Sequence, residues 1–131
     1  MIDQITEIDP YHIKALKSFN NARVCYAIES CAQLGAYHVR FLLDFNRHAF
    51  LIKVKEYEIW PEKQLCGQFF LSGACLSRSN DAFLYKIQFY NQSNLCICGQ
   101  FLFGVADYDE NFERNQLKQY YKEMFARLVC T

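Results

Sequence analysis

Residues 22–45 read ARVCYAIESCAQLGAYHVRFLLDF, and this stretch decides the fold. Val24, Ile28, Cys31, Gly35, Val39 and Leu42 recur at steps of three and four, the spacing of one face of an α-helix. Asn20-Asn21 punctuates the chain just before it and is a candidate cap. Between Arg23 and His38 the one charged residue is Glu29. A surface helix carries charge along its outer face, and the first half of this one does not. It is therefore expected to be wrapped by other structure on most sides.

What could wrap it lies to either side. Upstream, Ile2, Ile5 and Ile8 alternate with polar residues, Asp9-Pro10 makes a turn, and Tyr11 to Phe19 resumes with Ile13, Ala15 and Phe19; this reads as a hairpin. Downstream, after Asn46-Arg47-His48, four β-rich runs follow: Ala49 to Trp60, Leu65 to Arg78, Ala82 to Tyr90 and Leu95 to Ala106. Short polar connections (Pro61-Glu62-Lys63, Ser79-Asn80-Asp81, Asn91 to Asn94) make an antiparallel meander the expectation. A flat sheet cannot cover one helix all round, whereas a strongly curved antiparallel sheet can. The expected class is α+β, a long central helix wrapped by a curved antiparallel sheet. The tail, from about Asp109 to Val129, is helical again, with Leu117, Tyr121, Met124 and Leu128 as its stripe. Asp109, Glu110 and Glu113 gather at its start and Lys118, Lys122 and Arg127 later, which suits the helix dipole. It can pack on the domain or on a partner chain.

Composition narrows the function classes. The 131 residues make one domain, and 52% hydrophobic content suffices for a core. Lys plus Arg and Asp plus Glu are 14 each, so the basic excess of a nucleic-acid-binding domain is missing. No run reaches the roughly 18 apolar residues of a membrane span. The opening Met-Ile-Asp-Gln-Ile-Thr-Glu has neither the basic nor the apolar segment of a signal peptide. Seven cysteines, at 25, 31, 66, 75, 96, 98 and 130, form no even framework and no C-x-x-C pair. Reduced, mostly buried thiols in a cytoplasmic protein, with no metal site, are the expectation.

Glu29 stands out. A carboxylate within an apolar helix must be paired, solvated or protonated, and desolvation would raise its pKa toward that of a general acid or base. Gln33 lies one turn on along the same face, with Cys25, Tyr26 and Ala32 as close neighbours. A carboxyl beside a carboxamide can orient each other or a substrate carbonyl; equally, Glu29 can reach a backbone donor or an arginine and be structural. His38 lies nine residues beyond Glu29, roughly 180° around the helix, so it cannot share Glu29's site within one chain. His12 at the hairpin and His48 in a connection read as surface histidines, and Trp60-Pro61 as packing at a strand end. No P-loop, G-x-G-x-x-G, G-x-S-x-G or H-E-x-x-H occurs, and no cofactor is expected.

Glu29-Ser30-Cys31-Ala32-Gln33 is similar to the E-x-x-A-Q on the central helix of beta-hydroxyacyl-acyl-carrier-protein dehydratases. Together with Phe50-Leu51 to Ile59, Phe83-Leu84-Tyr85-Lys86 and the opening Ile2 to Asp9, it gives the chain a resemblance to the hot-dog superfamily over roughly residues 2–106. The likeness is greatest to the dehydratase-like proteins of aryl-polyene pathways. The resemblance implies a hot-dog domain over 1–106 and a helical extension over 107–131. It implies Glu29 and Gln33 as catalytic residues, Tyr26, Cys25 and Ala32 as substrate-binding residues, and an acyl thioester on acyl carrier protein or coenzyme A as substrate. The family's H-x-P-G segment has no counterpart here: Ala15 to Ile28 contains no histidine, proline or glycine. Three readings stay open: a dehydratase or thioesterase; an inactive hot-dog subunit paired with a histidine-bearing paralogue; and a structural module. A homodimer or heterodimer is expected, because a lone hot-dog chain leaves a sheet edge and one side of its helix uncovered.

Overall fold

Among the described residues, two helices and one antiparallel sheet of six strands make up the fold. The computed structural model describes residues 2–59, 64–92, 94–107 and 114–129. In chain order the elements are β1 (Gln4–Ile8), β2 (His12–Ala22), α1 (Cys25–Leu42), β3 (His48–Ile59), β4 (Leu65–Arg78), β5 (Ala82–Asn91), β6 (Asn94–Ala106) and α2 (Arg114–Val129). Each falls close to where periodicity and punctuation place it, apart from the boundary between β2 and α1. Trp60 to Lys63 and the acidic start of the tail (Asp109, Glu110, Glu113) lie outside the described residues.

The strand order is β1-β2-β4-β5-β6-β3, which corrects the expected meander. Of the four runs after α1, only β4, β5 and β6 follow one another; β3 crosses to the far edge and pairs antiparallel with β6, from His48↔Ala106 to Ile59↔Ile97. The reason is topological. Helix α1 lies between β2 and β3, so β4 can take the place beside β2 (His12↔Ala74 to Ala22↔Leu65) and leave β3 to close the other side.

The start of the helix needs a second correction. Strand β2 runs on to Ala22, and Asn21, at φ 61°, sits in the irregularity between Asn20 and Ala22 rather than capping α1. Asparagine tolerates that left-handed backbone. Val24 is the N-cap, without a side-chain hydrogen bond. Only two residues separate β2 from α1.

One stripe of α1 and the facing side of the sheet form the core. Cys31, Leu34 and Val39 are fully buried against Phe69, Tyr85, Ile87, Phe89, Phe101 and Phe103. Strand β5 shows the alternation cleanly: Phe83, Tyr85, Ile87 and Phe89 face in, and Lys86 between them is exposed. Phe69 and Phe89 stack with centroids 4.8 Å apart. Each such side chain contributes about 1.5–3 kcal/mol by leaving water. At Gly35 the helix comes so close to β6 that an added Cβ would lie 2.2 Å from Phe103 Cζ. No larger residue fits while that ring stays in place.

Two further expectations are revised by burial. The N-terminal half of α1 is not wrapped: Cys25, Tyr26 and Glu29 are exposed and Ile28, Ala32 and Gln33 half-buried, while nearly everything from Leu34 to Arg40 is buried. The cysteines are not mostly buried either. Of the five described, all free, Cys31 is buried, Cys75 and Cys98 are intermediate, and Cys25 and Cys66 are exposed. Cys66 lies on the outer side of β4 between the buried Leu65 and Phe69, and Cys25 opens the uncovered end of the helix.

The tail helix packs on its own chain. Phe125 lies against Tyr37, Phe41 and Phe45, with centroids 6.5, 5.8 and 5.4 Å away. Lys118 Nζ donates to Asn46 Oδ1 at 2.8 Å, and Leu128 joins the core. The stripe Leu117, Tyr121, Met124 and Leu128 faces inward, but Phe125, outside it, makes the main aromatic contacts.

Candidate functional site

Along α1, Glu29, Gln33, Ala36 and Arg40 follow at steps of four, three and four, so they share one face, with Ala32 and Tyr37 beside them. That face forms one side of a groove of about 450 Å³. Ala49, Phe50 and Leu51 at the start of β3 bound it on another side, and Tyr120 and Tyr121 of α2 on a third. Glu29 also borders a second depression of about 230 Å³, shared with Tyr26, Ser30 and the end of β2 from Lys17 to Ala22. The carboxylate thus stands on the ridge between two hollows, open to solvent. This overturns the expectation of a desolvated Glu29. The physical reason is that the sheet covers the opposite face of α1 and α2 covers only its C-terminal half.

Gln33 is held in place. Its Oε1 accepts the Ile2 backbone N–H at 3.1 Å, which assigns the carboxamide oxygen to the N-terminal strand and leaves the NH₂ as its donor group. Ala32 lines the groove. Tyr26, half-exposed, lines the second hollow, and its carbonyl accepts from Ser30 Oγ at 3.0 Å. Cys25 is exposed at the helix start and lines neither hollow. Sequence reasoning named Glu29, Gln33, Ala32, Tyr26 and Cys25; the first three border one groove, Tyr26 the other hollow, and Cys25 neither. It missed Ala36, Tyr37, Arg40, the β3 residues and the two tyrosines. The α1 members were findable by continuing the three-and-four step; those from β3 and α2 carry no local signal.

None of the three histidines lines either hollow. His38 is fully buried on the other side of α1, as the helical angle requires. Its Nε2–H donates to the Asp9 carbonyl at 2.7 Å, so Nδ1 accepts from the Tyr85 hydroxyl. Burial holds its pKa below the ordinary histidine value and pushes that of Tyr85 up. His12 is exposed beside Asp9, whose Oδ1 accepts the Tyr11 and His12 N–H groups at 2.7 and 2.8 Å. The Tyr11 N–H foremost holds that carboxyl below its usual range. His48 is not a surface histidine in a connection. It is the first residue of β3, half-buried, with Phe50 and Tyr121 at centroid distances of 6.4 and 6.3 Å, and burial lowers its pKa.

Three other features complete the surroundings. The small hollow of about 240 Å³ formed by Ile28, Val54, Tyr57, Ile59, Ile97 and Phe101 is almost wholly apolar. Strand β3 is an edge of the sheet, and Phe50, Leu51, Ile52, Tyr57 and Ile59 on it are all exposed. A further cavity of about 470 Å³ at the opposite end of α1 contains Arg47 and Arg78. There Arg47 ties the chain together through Asp107 Oδ1 at 3.1 Å and the Asn80 carbonyl at 2.9 Å. Among the described residues no helix is long and apolar enough to cross a membrane.

No family model matches the chain, and no curated protein matches it in sequence. Solved structures do match in shape. A variant of a thioesterase from Pseudomonas aeruginosa superposes with a TM-score of 0.68 at 8% identity, over 79% of this chain and 81% of that one. A hypothetical thioesterase from Streptococcus pneumoniae with coenzyme A gives 0.66 at 14% identity, over 82% and 88%. A protein from Streptococcus mutans bound to acetyl coenzyme A gives 0.66 at 13%, over 82% and 90%. The chain has the hot-dog fold.

Proposed function

We propose that this chain is a hot-dog acyl-thioester hydrolase acting on coenzyme A or acyl-carrier-protein thioesters, with Glu29 and Gln33 as its catalytic pair. The observation that carries the reading is Glu29 at the edge of a groove, one helical turn from a carboxamide whose oxygen is already engaged. Thioesterases among the similar structures, one of them with coenzyme A, support it. The solvated Glu29 carboxylate takes a proton from water as the water oxygen bonds to the thioester carbonyl carbon. The Gln33 NH₂ donates to the carbonyl oxygen as it gains charge. Collapse of the tetrahedral intermediate breaks the C–S bond, and the proton held by Glu29 goes to the leaving thiolate. Tyr26 and Ala32 are contact surfaces for the substrate, and Cys25 flanks its approach.

In this reading residues 1–106 form the hot-dog domain, with α1 as the helix wrapped by the sheet, and 107–131 the extension; the protein works in the cytoplasm. It works as a homodimer. Five exposed apolar residues on the β3 edge, and the uncovered start of α1, favour a second copy paired there. A dehydratase is the weaker alternative, since no histidine borders the groove. For the same reason, pairing with a histidine-bearing paralogue is the second reading. Hydrolysis of acyl coenzyme A by the purified protein, followed as thiol release, tests the proposal. Turnover that Glu29→Gln abolishes supports it; turnover unaffected by that change removes Glu29 from the mechanism. Light scattering is expected to give a dimer, and a monodisperse monomer at micromolar concentration overturns the homodimer.

A further inference from the structure

The far end of the groove has a construction of its own. From Glu29 the groove follows α1 for eleven residues to Arg40, about 16 Å at the helical rise. Its floor is made of small side chains, Ala32 and Ala36. At its end the Tyr121 ring lies 3.9 Å from the Arg40 guanidinium carbon, and Tyr120 meets Tyr121 edge-on at 5.3 Å. Arg40 is itself fixed, because Nη2 donates to the Ala49 carbonyl at 3.0 Å and the residue is almost wholly buried. The helix bearing the tyrosines is held by the Phe125 cluster and by Lys118 on Asn46. The wall therefore cannot swing aside without breaking an aromatic cluster.

We infer that Tyr121, backed by Arg40 and flanked by Tyr120, is an end stop that sets the length of acyl group the groove accepts. This rests on the acyl-thioester reading above, with the reacting carbonyl at Glu29. A compact acyl group fits between Glu29 and the ring, and a long chain meets the ring before its carbonyl reaches the carboxylate. The tail helix is then the specificity element of the site, and acyl thioesters no longer than the span from Glu29 to the ring are the substrate class.

Two series from acetyl to palmitoyl separate the claims: coenzyme A thioesters for turnover, and their non-hydrolysable thioether analogues for binding by calorimetry. The wild type is expected to prefer the short members in both. Tyr121→Ala should raise the long-to-short ratio of kcat/KM, and of affinity, by about ten-fold or more, the scale on which a hydrophobic pocket discriminates size. Tyr121→Phe, which keeps the ring, should restore the wild-type ratio. Identical ratios in all three proteins overturn the end stop. If no thioester is hydrolysed but Tyr121→Ala still shifts the analogue profile, the end stop stands and the hydrolase reading falls. Absence of binding at any length overturns the end stop as well. Should Tyr121→Ala fail to fold, Tyr120→Ala, whose ring is half-exposed and outside the core, reads the same ratio.

Discussion

The two halves of α1 are made of similar residues and have opposite fates. From Leu34 to Arg40 the helix is enclosed by the sheet on one side and α2 on the other, and even His38 and Arg40 are buried there. From Cys25 to Gln33 the sheet covers one face alone, and Tyr26 and Glu29 reach solvent. In the enclosed half His38 is bonded to Asp9 and Tyr85, and Arg40 Nη2 to Ala49. The open half keeps a carboxylate available. Packing dominates the enclosed half, and the chemistry proposed above lies in the open one.

The sharpest break of that comparison is Glu29→Gln. Loss of a general base costs about 100-fold to 10,000-fold in rate, and because Glu29 is exposed the melting temperature should hardly move. A parallel fall in melting temperature would mean that Glu29 is structural. Gly35→Ala should behave in the opposite sense. The added Cβ meets the fully buried Phe103 ring, which is held edge-on by Tyr85 at 5.6 Å. Overpacking of this kind costs about 1–3 kcal/mol and outweighs the gain in helix propensity, about 1 kcal/mol at most. Chemical denaturation should show the loss; an unchanged midpoint would mean that the ring yields.

A smaller effect sharpens the same contrast through pH. His38 is held neutral, its folded pKa below the unfolded value, so the unfolded chain binds the proton more readily. Its contribution to stability is complete above the unfolded pKa of about 6.5. That contribution falls as pH drops from there toward the folded pKa. Burial also lowers the His48 pKa, so the comparison must be made with His38→Gln at each pH. The stability advantage of the wild type over that variant should shrink between neutral and mildly acidic pH. A constant difference would show that the His38 proton is not coupled to folding.

Most of the elements were legible in the sequence because each is announced locally. The three-and-four step of α1, the alternation of β5 and the polar breaks between strands all act within a few residues. The Glu29–Gln33 pairing was equally legible, being a matter of one helical turn. The position of β3 was not. Its place at the edge depends on β4 pairing with β2, a long-range choice without a mark in β3 itself. Glu29's surroundings were misjudged for a related reason. A helix face lacking charge suggests a cover, but the sequence does not say whether that cover comes from the same chain.

By itself, then, the sequence determined an α+β domain, its helices and strands, and a carboxylate–carboxamide pair one turn apart. The tertiary structure alone decided that β3 closes the sheet, that half of α1 stays open, and that two tyrosines about ninety residues further along the chain end a groove beginning at Glu29. Local order follows from backbone sterics and the spacing of apolar side chains, which neighbours in sequence share. A groove is a relation between distant segments, and it exists only once the core has brought them together.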